Sequence, residues 1–147
     1  MRLPRRRFVL TTAAALAAPS LALPGPAGAT PAQVADLIQA FVGDAPLQPG
    51  KVTLDLPVLV ENGNVVAMTV NVDAPPGTVR EIAVFADGNP LPEVLRVHLG
   101  PASGLPRVST RIRLATSQTV TAVARLDDGT CWHDSVELLV TLAACIE

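Results

Sequence analysis

The chain has 147 residues, room for one domain and its ends, and it is 49% hydrophobic but only 16% charged. Its formal net charge is −2, and residues 30–147 carry seven basic against thirteen acidic side chains, with Lys51 the sole lysine. That balance excludes the basic patches by which proteins bind nucleic acid or anionic membranes. Fourteen prolines and ten glycines, with only Trp132, Phe8, Phe41 and Phe85 as aromatics, point to many short elements divided by turns.

Residues 1–29 read as an export signal. Arg5-Arg6-Arg7-Phe8 supplies a basic start of the twin-arginine type, Thr11 to Leu23 an apolar run, and Ala27-Gly28-Ala29 a small-residue cleavage site. The apolar run is too short to span a bilayer, and no other run approaches the ~20 residues a membrane helix needs. The expected location is the periplasm, with cleavage after Ala29 and a net charge of −6 on the remainder. A twin-arginine route carries folded cargo, so assembly with a partner before export is one reason to use it.

Residues 30–50 read as a helix and linker. Thr30 is suited to cap the helix and Pro31 to open it, because the first helical N–H needs no partner. Val34, Leu37, Ile38 and Phe41 recur at i, i+3, i+4 and i+7, one apolar stripe at helical period, and Gly43 ends it. From Lys51 the period becomes two. Val52, Leu54 and Leu56 alternate with polar neighbours; then, past Asn62-Gly63-Asn64, come Val66, Met68, Val70 and Val72. Ile82, Val84 and Ala86 precede the turn Asp87-Gly88-Asn89-Pro90, and Val94 to Leu99 reads as a strand ended by Gly100-Pro101. Val108, Thr110, Ile112 and Leu114 face opposite to Arg107, Ser109, Arg111 and Arg113. Val120 to Leu126 leads through Asp127-Asp128-Gly129-Thr130, a hairpin turn, into a last strand from Cys131 to Leu142. Seven strands of this kind over residues 51–142 predict an all-β antiparallel sandwich. Residues 143–147 form a tail that carries Cys145.

Exported proteins often pair their cysteines, but Cys131 and Cys145 sit fourteen steps apart in the sequence. On one extended strand that is about 45 Å, whereas a disulfide needs Cα atoms ~5.5 Å apart. Cys145 is therefore expected to be a free thiol or one used between chains; its plainer role is to finish the strand as a small apolar residue. Cys131-Trp132-His133-Asp134 offers two ligands on one strand face with His98 as the only other histidine, too little for a zinc site, so it reads as packing beside the hairpin. Arg107, Arg111 and Arg113 suit a face for anions or, more commonly, a solvated face. No nucleophile elbow, P-loop or dinucleotide fingerprint occurs, and nothing in the chain points to an enzyme.

Asn62-Gly63-Asn64, Phe85-Ala86-Asp87-Gly88-Asn89-Pro90-Leu91-Pro92 and Val108-Ser109-Thr110-Arg111-Ile112-Arg113-Leu114-Ala115 together resemble the SoxY family, carrier subunits of the bacterial sulfur-oxidation (Sox) system. The resemblance covers the chain from the helix to the last strand. It implies an immunoglobulin-like sandwich, a SoxZ-like sandwich partner in a SoxYZ heterodimer, and transient contact with periplasmic Sox enzymes during thiosulfate oxidation. It also implies that Cys145 holds the sulfur intermediate covalently, with no other cofactor and no catalysis by the chain itself. The family's tail is Gly-Gly-Cys-Gly-Gly, whereas this one is Ala143-Ala144-Cys145-Ile146-Glu147. Alanine, isoleucine and glutamate make the tail stiffer and bulkier, and the Glu147 charge disfavours the reactive thiolate. The alternative to carriage is an exported interaction module that keeps the SoxZ-type partner surface and has lost the sulfur.

Overall fold

The computed structural model describes residues 28–143. The signal-type segment up to Ala27 and the stretch Ala144 to Glu147, with Cys145, lie outside the described residues.

Helix α1 (Pro31–Val42) begins where the sequence places it. Thr30 is extended, its hydroxyl accepts from the Gln33 N–H, and the Gln33 side chain accepts from the Thr30 N–H at 2.8 Å. This reciprocal pair satisfies two otherwise orphaned donors. Gly43 ends the helix at φ 62°, a left-handed value that a residue with a Cβ adopts only with strain.

Among the described residues nine strands follow: β1 (Leu47–Pro49), β2 (Val52–Asp55), β3 (Leu59–Val60), β4 (Val66–Val72), β5 (Val79–Ala86), β6 (Glu93–His98), β7 (Arg107–Ile112), β8 (Gln118–Leu126) and β9 (Cys131–Val140). One sheet has the order β1-β9-β8-β5-β6, with β3 also on β9, and the other the order β2-β4-β7. The expected sandwich is present, with two short strands that the period-two reading passes over. Both pair parallel to β9, Leu47 to Pro49 against Cys131 to His133, and Leu59 and Val60 against Leu139 and Val140. The last strand ends at Val140 rather than at Leu142.

Strand β4 shows why the alternation was a sound guide. Val66, Met68, Val70 and Val72 are buried, while Ala67 and Asn71 between them are exposed. Their row meets Ile82, Val84, Val120, Ala122 and Leu138 from the opposite sheet, forming the main core. Each fully buried aliphatic of this kind contributes roughly 1.5–3 kcal/mol relative to exposure. A second, smaller core lies on the outer face of the larger sheet, where Val34, Phe41 and Val42 of α1 cover Ala83, Phe85, Val123 and Cys131.

Candidate functional site at the end of strand β9

The candidate site is built on β9, because the tail that carries Cys145 continues from it. Strand β8 flanks it on one side, from Gln118 against Leu138 to Arg125 against Cys131. On the other side β1 takes its first residues and β3 its last. The pairing continues past the strand. The Thr141 N–H donates to the Val60 carbonyl at 2.9 Å, its hydroxyl reaches the Val60 and Glu61 carbonyls, and the Gly63 N–H donates to the Leu142 carbonyl at 2.8 Å. Ser117 Oγ takes the Val140 N–H at 2.9 Å. The backbone is thus tied down through Leu142, three residues before Cys145.

Asn62-Gly63-Asn64 makes this anchor. Asn62 Oδ1 accepts from both the N–H and the amide of Asn64, a side-chain turn closure that asparagine favours. The turn puts Gly63 where its N–H meets Leu142 while its carbonyl receives the Leu114 N–H at 2.8 Å. Around this corner Val58, Leu59, Leu139 and Leu142 are exposed.

Cys131 lies at the other end of β9, fully buried beneath α1. Nine strand steps separate it from Val140, about 30 Å, and the five residues from Val140 to Cys145 span at most about 17 Å. The two sulfurs cannot meet. His133 and Asp134 do not join Cys131 in a cluster: Asp134 Oδ2 instead accepts the Leu54 N–H at 2.9 Å, capping the free side of β2. The Trp132 indole donates to the Thr130 hydroxyl at 3.0 Å and Lys51 stands 4.8 Å over its ring. Among the described residues no three histidine, cysteine or acidic side chains converge as a metal site. Arg107, Arg111 and Arg113 are exposed on and just beyond β7, and none is in an ion pair among the described residues.

Two polar constellations escaped the sequence reading. Asn89 is buried; its amide donates to the Arg113 carbonyl at 2.8 Å and its Oδ1 accepts from the Ala115 N–H and the Gln118 amide. Gln118 in turn receives the Gly88 N–H, and a Cβ on Gly88 would stand 2.7 Å from Thr116. The Asp87-Gly88-Asn89 turn is therefore a clamp between the β5–β6 and β7–β8 connections. The second is Glu81, buried on the outer face of β5, with Arg96 at 2.7 Å and Arg125 at 3.5 Å. Arg96 also grips Glu93, whose carboxyl it holds below the usual range. The hydroxyl and N–H of Thr130 do the same to Asp128. For Glu81 the signal was a carboxylate in a strand that is otherwise apolar apart from Arg80, whereas Asn89, inside a polar turn, gave none.

A family model for the sulfur oxidation protein SoxY matches residues 38–145. The chain belongs to the SoxY family. That match begins inside α1, crosses every strand and ends at Cys145. Among solved structures, the sulfur carrier protein SoxY from Chlorobium limicola f thiosulfatophilum is 28% identical, with a TM-score of 0.64 over 76% of this chain and 98% of that one. A superoxide reductase (neelaredoxin) from Ignicoccus hospitalis is 20% identical, with a TM-score of 0.55 over 62% of this chain and 80% of that one, and shares the fold alone. No curated protein matches. The immunoglobulin-like sandwich implied by the SoxY motifs is the observed fold, and family membership ties the chain to sulfur oxidation.

Proposed function

We propose that this chain is a periplasmic sulfur carrier that holds sulfur-oxidation intermediates covalently on Cys145 while separate enzymes act on them. The observation that carries the reading is the anchor at Leu142. A backbone tied through that residue, three positions before the cysteine where the SoxY match ends, suits a thiol presented from a fixed base. Attaching thiosulfate to a thiol forms one S–S bond and releases one proton and two electrons. A separate redox enzyme takes those electrons, so the carrier itself is non-catalytic and needs no cofactor beyond the sulfur it holds. The arginine pair at the start of the chain supports twin-arginine export.

A SoxZ-like sandwich subunit is the proposed stable partner. Strands β6 and β7 end the two sheets on the same side, where Glu93, Val94, Arg111 and Ile112 line a cleft of about 310 Å³. Open strand edges are a liability that pairing or packing removes.

Intact mass spectrometry of protein recovered from cells oxidising thiosulfate tests the carrier. The wild type is expected to show sulfur-containing adducts, and Cys145→Ser to show none and to stop thiosulfate-dependent turnover. Turnover by Cys145→Ser at the wild-type rate would leave the interaction-module reading in its place.

A further inference from the structure

The corner at the end of β9 carries more apolar surface than its fold requires. Val58 is 67% exposed, Leu59 57%, Leu139 62% and Leu142 60%. They gather at one corner. Leu59 and Leu139 are register partners across β3 and β9, the Leu139 N–H donates to the Val58 carbonyl, and Leu142 is held to the same corner by Gly63. Exposed Glu61 and Glu137, neighbours of these residues along the chain, supply carboxylates close to the corner. Clustered exposed aliphatics beside charged residues mark interaction surfaces, whereas single ones are commonplace.

Chain length identifies the occupant. Leu142 is fixed, and three residues reach at most about 11 Å, so the sulfur of Cys145 stays close to this corner whatever path the tail takes. An enzyme that takes that sulfur into a recessed active site must bring its own surface down onto the corner. We propose that Val58, Leu59, Leu139 and Leu142 form a docking collar for the apolar rim of the active-site mouth of enzymes that act on the Cys145-bound sulfur. The collar rests on the carrier role of Cys145 and adds to it a contact by the body of the domain. Recognition is then not left to the tail alone.

The test uses the full mature chain with its SoxZ-like subunit and the Sox enzymes of the same organism, with thiosulfate as substrate. In a Leu59→Asp/Leu139→Asp variant both changes fall on exposed side chains, so the thermal unfolding midpoint is expected to stay within a few degrees of wild type. Turnover is expected to lose at least tenfold in kcat/KM for the carrier, chiefly through KM. Alkylation of Cys145 by iodoacetamide at about 0.15 M salt is expected to stay within twofold of wild type, because salt screens the new carboxylates from the thiolate. Wild-type kcat/KM in this variant, beside an inactive Cys145→Ser, would overturn the collar and leave the carrier standing. Full turnover by Cys145→Ser would remove both. Loss of the heterodimer in the Asp variant would assign the corner to the SoxZ-like subunit and overturn the proposal.

Discussion

Asn89 uses both ends of its amide on the connection opposite, and it does so while buried. Truncating it strands the Arg113 carbonyl, the Ala115 N–H and one arm of the Gln118 amide. Each such buried group left without a partner costs about 1–3 kcal/mol. Asn89→Ala is therefore expected to lower unfolding stability by about 3 kcal/mol in urea titration, with little change in the slope of the transition. A loss below about 1 kcal/mol would mean that water replaces the amide and that the clamp is dispensable. Asp87-Gly88-Asn89-Pro90, one of the motifs that resemble the family, thus holds two connections together.

Helix α1 is short, and its hold on the sheet comes from one buried stripe. Phe41 is the most buried residue of that stripe, 3% exposed, with the Arg96 and Arg125 guanidinium groups 5.2 and 4.7 Å from its ring centre. Those arginines are themselves drawn in by Glu81, so the helix, the ring and the ion pairs depend on one another. Phe41→Ala is expected to cost roughly 3–5 kcal/mol, the usual range for an aromatic removed from a core. It should also loosen the cover over Cys131. In a Cys145→Ser background, Cys131 is expected to be inert to a thiol reagent such as DTNB and to react at least tenfold faster once Phe41 is alanine. Unchanged labelling would mean that the helix stays seated without the ring. This helix was legible in advance because its cap, its opening proline, its period and its terminal glycine all agree. Strand β4 was legible through alternation, and β8 through a looser one, because Val123 is buried under the helix between Ala122 and Ala124. Strands β1 and β3 were not: each is two or three residues long, and each exists only because β9, distant in sequence, offers it a parallel partner. The collar was illegible for the same reason, since nothing local tells Val58 and Leu59 that they will stay in water beside Leu139. Cys145 was singled out by the sequence, and what the fold adds is the anchor that precedes it.

At the scale of the molecule, the edges of the sandwich are treated unequally. The free side of β2 is capped by the Asp134 carboxylate, and β9 is lined by β1 and β3. Among the described residues, strands β6 and β7 end their sheets without such cover. Leu91 and Leu105, the most exposed aliphatics described, precede these two strands. Expressed with the SoxZ-like subunit, the mature chain is expected to run as a 1:1 heterodimer in size-exclusion chromatography with light scattering. Charge reversal at Arg111 and Arg113 is expected to weaken it. A stable monomer indifferent to that subunit would sink the heterodimer.

The double flanking of β9 has a mechanical side. A tug on Leu142 along the strand axis runs parallel to the ladders with β8, β1 and β3, so it loads their hydrogen bonds together in shear instead of unpicking them one by one. The Gly63 bond to Leu142 and the Thr141 bonds to Val60 and Glu61 take up the first part of any sideways pull. Under the proposed carrier role, force applied through the tail would be taken up by a strand paired on both sides and spread across the larger sheet before it reached the helix over Cys131.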